Sequence, residues 1–300
     1  MLKLPNGVDI NNLIDNLRIF SWEASDCLLY YSQLFKEGNF KSYIIKKETY
    51  EDPVTKADLK VNEIIIKRIK DHYSSVKWGL LSEENVKLGE QISGEESDWL
   101  WVLDPLDGTK DFIQATGNYA MHLALNYQNK PYLGVVLIPE KGELWFAYED
   151  KVWFENRDGS KFEVNVPKNK ALNEMTLVTS KNHRNLALKN LIEEINFKEV
   201  RIMGSIGCKI ASIIRGESDI YVCLSLPGES CPKDWDFAAP AAILKAAGGA
   251  ITNLDNKELS FNQPNYEQGG IIIATNDSSN HGQICLEIRE IIRKSKNFSL

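Results

Sequence analysis

Two aspartates three residues apart, Asp104 and Asp107, lie in the run Trp101-Val-Leu-Asp104-Pro105-Leu106-Asp107-Gly108-Thr109-Lys110-Asp111-Phe112. The apolar stretch Trp99 to Leu103 predicts a buried strand. Asp-Pro and Asp-Gly, two turn signals within five residues, end it. Pro105 fixes one φ angle, and Gly108 permits a positive φ or a close backbone approach. Such a turn can aim two carboxylates and a backbone carbonyl at one point. Two anions converging in a partly buried site repel strongly. A hard divalent cation removes that repulsion, because Mg²⁺ takes oxygen ligands and keeps positions open for water and phosphate. A solvated acidic turn is the plainer reading of the same residues.

Four further carboxylates stand where elements begin or end. Asp58 follows Thr55 by three residues at a predicted helix start, Asp52-Pro-Val-Thr55-Lys-Ala-Asp58, with Ile64, Ile65 and Ile69 continuing the apolar face. A capping or dipole-stabilising acid explains Asp58 on its own. Glu83 and Glu84 end the short apolar strand Trp78 to Ser82, as Asp104 ends the next one; a Glu-Glu pair facing solvent is the ordinary alternative. Asp236 opens the Ala-rich helix Asp234 to Ala247, where it too could serve as a cap.

The elements around these residues fall into two halves. Apolar residues from Ile10 to Leu34 predict a long helix over 8–36, with a break near Trp22, and a short strand is expected at Tyr43–Ile45. Residues 85–97 are polar and acidic and predict a loop. Strands follow at 118–126, 131–138, 143–148 and 152–155, with one more near 162–164, separated by turn pairs. This is a β-meander. His122 falls between its apolar positions and reads as structural. The composition shifts at Pro167–Lys170, which divides the chain into 1–168 and 169–300. The second half alternates: strands at 175–180, 199–203, 218–224, around 251 and at 270–275; helices at 184–195, from Gly204-Ser205 to 214, at 234–247 and at 282–292. The fold class is α+β, with N-terminal helices and antiparallel sheet beside a more alternating α/β half.

The chain of 300 residues is 43% hydrophobic and 26% charged, ordinary for a globular enzyme. A net charge of −7 and a pI near 5.3 argue against a nucleic-acid or anionic-membrane surface. A small phosphorylated substrate is compatible, since a bound metal inverts the local field. Five scattered cysteines without a Cys-x-x-Cys pair favour a reducing compartment, with no disulfide framework or structural zinc. With no signal-like apolar core and no run of membrane-spanning length, the expectation is a cytoplasmic protein.

The three-residue spacing separates Asp104 and Asp107 from the Asp-x-Asp of phosphatases that use a covalent aspartyl nucleophile. Asp104-Pro-Leu-Asp-Gly-Thr109 instead resembles the first signature of the inositol monophosphatase superfamily. Trp235-Asp236-Phe-Ala-Ala239 resembles its second, and Glu83-Glu84 and Val54-Thr-Lys-Ala-Asp58 match in order. The resemblance spans about 52–249 and implies a layered αβαβα fold. Within the superfamily the chain is most similar to the 3′(2′),5′-bisphosphate nucleotidases, through Lys110-Asp111-Phe112. The resemblance implies Glu83, Asp104, Asp107, Asp236 and the Leu106 carbonyl as ligands of two or three Mg²⁺ ions. It implies Thr109, oriented by Asp58 and acting with Glu83, as the group that positions or deprotonates water. Gly108, Thr109, Lys110, Ser180, Gly204, Ser205 and Asp236 would contact phosphate or substrate. The expected reaction removes the 3′-phosphate of adenosine 3′,5′-bisphosphate, and extends to 3′-phosphoadenylyl sulfate and so to sulfate assimilation. Lithium inhibition is expected with it. An inositol or sugar phosphatase on the same scaffold is the main alternative. A non-catalytic phosphate-binding homologue is disfavoured by the intact carboxylates. The partner is thus a small phosphorylated nucleotide, with no nucleic acid or membrane, and the protein a monomer or homodimer.

Overall fold

The computed structural model describes residues 3–38, 44–47, 53–90, 97–164, 170–180, 185–261 and 264–295. The domain boundary expected near Pro167 lies outside them. The chain runs α1 (Ile10–Lys36), β1 (Ile44–Lys47), β2 (Pro53–Thr55), α2 (Lys56–His72), β3 (Gly79–Ser82), α3 (Glu83–Lys87), β4 (Trp99–Asp107) and α4 (Thr109–Ile113). The meander follows as β5 (Ala120–Tyr127), β6 (Lys130–Ile138), β7 (Glu143–Tyr148), β8 (Lys151–Asn156) and β9 (Lys161–Glu163). The second half is β10 (Thr176–Thr179), α5 (Leu186–Ile195), β11 (Glu199–Ile202), α6 (Ile206–Ile214), β12 (Ile220–Ser225), α7 (Asp234–Ala246), β13 (Ala250–Asn253), β14 (Gly270–Thr275) and α8 (Ser278–Lys294).

Strands β3 to β9 form a seven-stranded sheet in chain order; β10 to β14 form a five-stranded sheet ordered β11-β10-β12-β14-β13. Side-chain alternation along the large sheet separates two cores. Trp101 and Leu103 of β4 and Met121, Leu123 and Leu125 of β5 pack on α1 and α2. Val102, Ala120 and Ala124 face the opposite way, onto α6 and α7, whose far sides meet Tyr221, Cys223, Ile272 and Ala274 of the small sheet. The other face of the small sheet, with Leu177, Val222 and Ile273, is covered by α5 and α8. The layers are therefore helix, sheet, helix, sheet, helix.

The middle layer shows its position in its residues. All nine residues of α6 are buried, as a helix between two sheets requires. Small residues let α7 approach the large sheet closely: a Cβ on Gly134 would lie 2.6 Å from Ala242 Cβ and 2.9 Å from the Ala239 carbonyl. The Arg18 guanidinium on α1 ties the first layer to the sheet through both oxygens of Glu155, which is wholly buried.

Four expectations change. The first helix runs unbroken through Trp22; Phe20, Ala24 and Leu28 keep one buried face in register across it. The loop expected at 85–97 begins as α3, which carries on to Lys87. The large sheet is not purely antiparallel, because β3 and β4 pair parallel. Ser205 caps the sixth helix rather than opening it, its hydroxyl accepting from Cys208 N at 3.2 Å. The strand expected at Tyr43–Ile45 is found as β1 from Ile44, Tyr43 lying outside the described residues.

Candidate active site

In a regular strand, residues three apart point to opposite faces. Asp104 and Asp107 nevertheless converge, because β4 carries an irregularity between them. Asp104 pairs with His122 and Asp107 with Ala120, three residues on β4 against two on β5. The extra residue resets the alternation and re-aims the second carboxylate. Pro105, which has no N–H for the ladder, falls inside this bulge. The Asp104 carboxylate fixes the turn by accepting from Leu106 N at 3.0 Å.

Asp236 arrives from the first turn of α7, where its carboxylate accepts from Lys233 N. Its neighbour Asp234 turns away into a buried bond with Gln268, 2.6 Å from its amide nitrogen. One carboxylate oxygen each from Asp104, Asp107 and Asp236 lies within 4.8 Å of the other two. Burial is the main force raising the Asp104 carboxyl well above the usual range, with Glu83, Asp107 and Asp236 adding repulsion. Asp236 is raised in the same direction by burial, Asp107 and Glu83. Such a group of oxygen donors is electrostatically incomplete without a cation. The donor set fits a hard divalent ion, with no nitrogen or sulfur ligand to favour zinc.

Glu83 borders this group. The parallel pairing sets Ser82 beside Leu103, so Glu83 and Asp104 leave the same end of adjacent strands. Lys87, one turn later on α3, sits 2.8 Å from Glu83 Oε1 and 3.7 Å from Glu84 Oε1. Glu84 is 2% exposed, against its solvent-facing reading; it is the buried residue of α3.

The Asp58 carboxylate closes the capping box of α2. One oxygen accepts from Thr55 N at 2.8 Å and from the Thr55 hydroxyl. Its other oxygen accepts from the Thr109 hydroxyl at 3.3 Å, and that hydroxyl also lies 3.1 Å from the Leu106 carbonyl. Capping and site contact are therefore held by different oxygens of one carboxylate. Burial pushes the Asp58 carboxyl up to about 7, against the hydrogen bonds from Thr55.

Gly108 has φ +89°, and a Cβ there would lie 2.9 Å from the Asn118 carbonyl and 3.0 Å from Ser205 N. That carbonyl accepts from Ser205 N at 3.1 Å, so the turn and the start of α6 are locked together. Gly204 is as tightly confined, 2.4 Å from the same oxygen if it bore a Cβ. The start of α6 in turn presents Ile206 N and Gly207 N to Asp107 Oδ2. Ser180 follows β10, and Gly204 and Ser205 follow β11, its parallel neighbour. All three thus leave one end of the small sheet, where loops of parallel strands collect ligands. Lys110 lies half-buried on α4, beside the turn.

One basic residue near the site was not singled out from sequence, and a second was read as structural. Lys209 is 2% exposed, donates to the Gly204 carbonyl and stands 5.4 Å from the Tyr221 ring. Its signal is a lone cation in the otherwise apolar run Ile206–Ile214. Burial lowers its pKa, while Asp107 favours the charged form. His122, expected to be structural, is wholly buried; its Nε2 accepts from Gly207 N at 3.1 Å and lies 3.4 Å from Asp107 Oδ2. Burial lowers its pKa, so the neutral ring is favoured.

Among the described residues no helix is long and apolar enough to cross a membrane. The model of the inositol monophosphatase family matches residues 23–293. A 3′(2′),5′-bisphosphate nucleotidase CysQ from Buchnera aphidicola is 32% identical over 258 residues, 84% of this chain and 90% of that protein. A fructose-1,6-bisphosphatase/inositol-1-monophosphatase from Thermotoga maritima is 28% identical over 222 residues, 74% of this chain and 79% of its own length. The inositol monophosphatase structure from Anabaena superposes with a TM-score of 0.71 at 20% identity, covering 94% of this chain and 97% of that one. The chain belongs to the inositol monophosphatase family and is a phosphatase of that family.

Proposed function

We propose that the protein is a magnesium-dependent 3′(2′),5′-bisphosphate nucleotidase that converts adenosine 3′,5′-bisphosphate to AMP and phosphate. The observation that carries the metal-dependent phosphatase reading is the Asp104–Asp107–Asp236 cluster, whose converging oxygens lie within 4.8 Å. The substrate rests on the nucleotidase relative, alike over nine-tenths of its own length, and on two cations, Lys110 beside the turn and buried Lys209. A substrate with two phosphates has use for positive charge beyond the carboxylate cluster.

Asp104, Asp107 and Asp236, with Glu83 and the Leu106 carbonyl, would hold Mg²⁺; bound there, it supplies charge to the phosphate and makes a water more acidic. The chain supplies the rest. The Thr109 hydroxyl, fixed between Asp58 and Leu106, orients a water toward phosphorus. Asp58 and Glu83 are the bases available for its proton. The turn at Gly108 leaves backbone N–H groups free to face phosphate oxygens. One P–O bond forms to the water oxygen as the bond to the sugar oxygen breaks, and the proton ends on that leaving oxygen. The same site would accept 3′-phosphoadenylyl sulfate, placing the protein in sulfate assimilation, and lithium would inhibit it.

A second reading, an inositol or sugar phosphatase, is favoured by the Thermotoga relative, named for both activities. Phosphate release from adenosine 3′,5′-bisphosphate and from inositol 1-phosphate, at equal concentration with Mg²⁺, separates the two. Faster release from the nucleotide supports the proposal. The reverse order supports the second reading, and full activity in excess chelator rejects metal dependence.

A further inference from the structure

We infer that Lys87 is a resident counter-cation of the metal site, competing with divalent metal for Glu83 and setting how tightly the site is loaded. The inference rests on the metal-dependent reading above. Its geometric basis is the 2.8 Å contact between the Lys87 ammonium and Glu83 Oε1. Both residues belong to the five-residue α3, one helical turn apart, the spacing at which Glu and Lys meet on a helix. A surface pair of this kind contributes little by itself. This pair is not on the open surface: the side chains are 24% and 16% exposed, at the border of the Asp104–Asp107–Asp236 cluster.

The charge balance gives the pair its consequence. Glu83, Asp104, Asp107 and Asp236 bring four carboxylates together, and Glu84 lies buried alongside, 3.7 Å from the same ammonium. Lys87 acts on Asp236 as well, favouring its ionised form. Without metal, Lys87 therefore offsets repulsion in the cluster and holds Glu83 in place. With metal, the same ammonium repels the incoming ion and contests an oxygen the ion would use. A unit charge about 6 Å from a divalent cation, in a water-like dielectric, shifts binding by about tenfold. Lys87 thus stabilises the empty site and weakens the filled one, and metal exchanges more readily than the carboxylates alone would allow.

The test is calorimetric titration of the full chain with Mg²⁺, repeated with Mn²⁺ by electron paramagnetic resonance, for the parent, Lys87→Met and Lys87→Arg. Lys87→Met should bind Mg²⁺ about tenfold more tightly, and its melting temperature in chelator should fall below the parent's. Lys87→Arg, which keeps the charge, should stay within about twofold of the parent. Lys87→Gln, which retains a polar head, serves if the methionine variant does not fold, with the same tightening expected. Binding unchanged or weakened in folded Lys87→Met or Lys87→Gln overturns the inference while leaving the metal reading intact. No divalent binding by the parent overturns both.

Discussion

Gly207 and His122 occupy space that only one of them can enlarge. A Cβ on Gly207 would lie 2.3 Å from His122 Nε2 and 2.8 Å from Val136 Cγ1. The imidazole is wholly buried, so it has no solvent to retreat into. Gly207→Ala should therefore cost about 1–3 kcal/mol, the range for forcing a methyl into a packed core. For a chain of this size that corresponds to a fall of roughly 2–6 °C in melting temperature. The displaced backbone also carries Ile206 N and Gly207 N away from Asp107 Oδ2, so phosphatase activity should fall with stability. His122→Ala should be destabilising too, because it removes the ring beside Asp107 and leaves a void. In the double variant the new methyl enters the space the ring has left. The two losses should then fall short of adding, with a favourable interaction of about 1–2 kcal/mol. Urea denaturation of all four proteins in one buffer measures the cycle. Strict additivity, or a double variant worse than the sum, would refute the packing argument.

Asp107→Asn keeps an oxygen for the α6 N–H groups but loses a charge from the cluster. Turnover should drop by at least about a hundredfold, while the metal-free melting temperature stays level or rises; near-parental turnover would contradict the metal assignment. Asp58 makes a separate prediction about pH. Its folded pKa of about 7 lies above its ordinary value of 3.8, so across that window the folded protein keeps a proton the unfolded chain has released. Stability in chelator should therefore fall as pH rises from 3.8 toward 7, with the full penalty present above 7. Asp58→Asn should flatten that slope between pH 5 and pH 8, and an unchanged slope in urea titrations would count against a buried, proton-holding Asp58.

The strands of the large sheet were legible because Met121, Leu123 and Leu125 alternate with residues of another kind. The convergence of Asp104 and Asp107 was not derivable from that alternation, which places them on opposite faces; only the bulge at Pro105 brings them together. The five-residue α3 is too short to show a period, so Glu83 to Lys87 read as the end of a strand running into a loop. The parallel pairing of β3 with β4 depends on how distant segments meet, and nothing in Gly79–Ser82 encodes it locally. Lys209 was readable in principle, as one charge in an apolar helix, but its closeness to Asp107 arises only when α6 docks.

The middle layer has a consequence for synthesis. Asp107 and Ile206, which bond across the seam, are 99 positions apart. At about 5–20 residues per second, roughly 5–20 s pass on the ribosome between the two. As the strands after Asp107 are added, the face of the sheet bearing Val102, Ala124, Val136 and Trp145 has no helix to cover it, since α6 and α7 are still to be made. The nascent chain thus carries its largest sheet with one apolar side bare, and Asp104 and Asp107 of β4 wait beside it for Asp236 of α7.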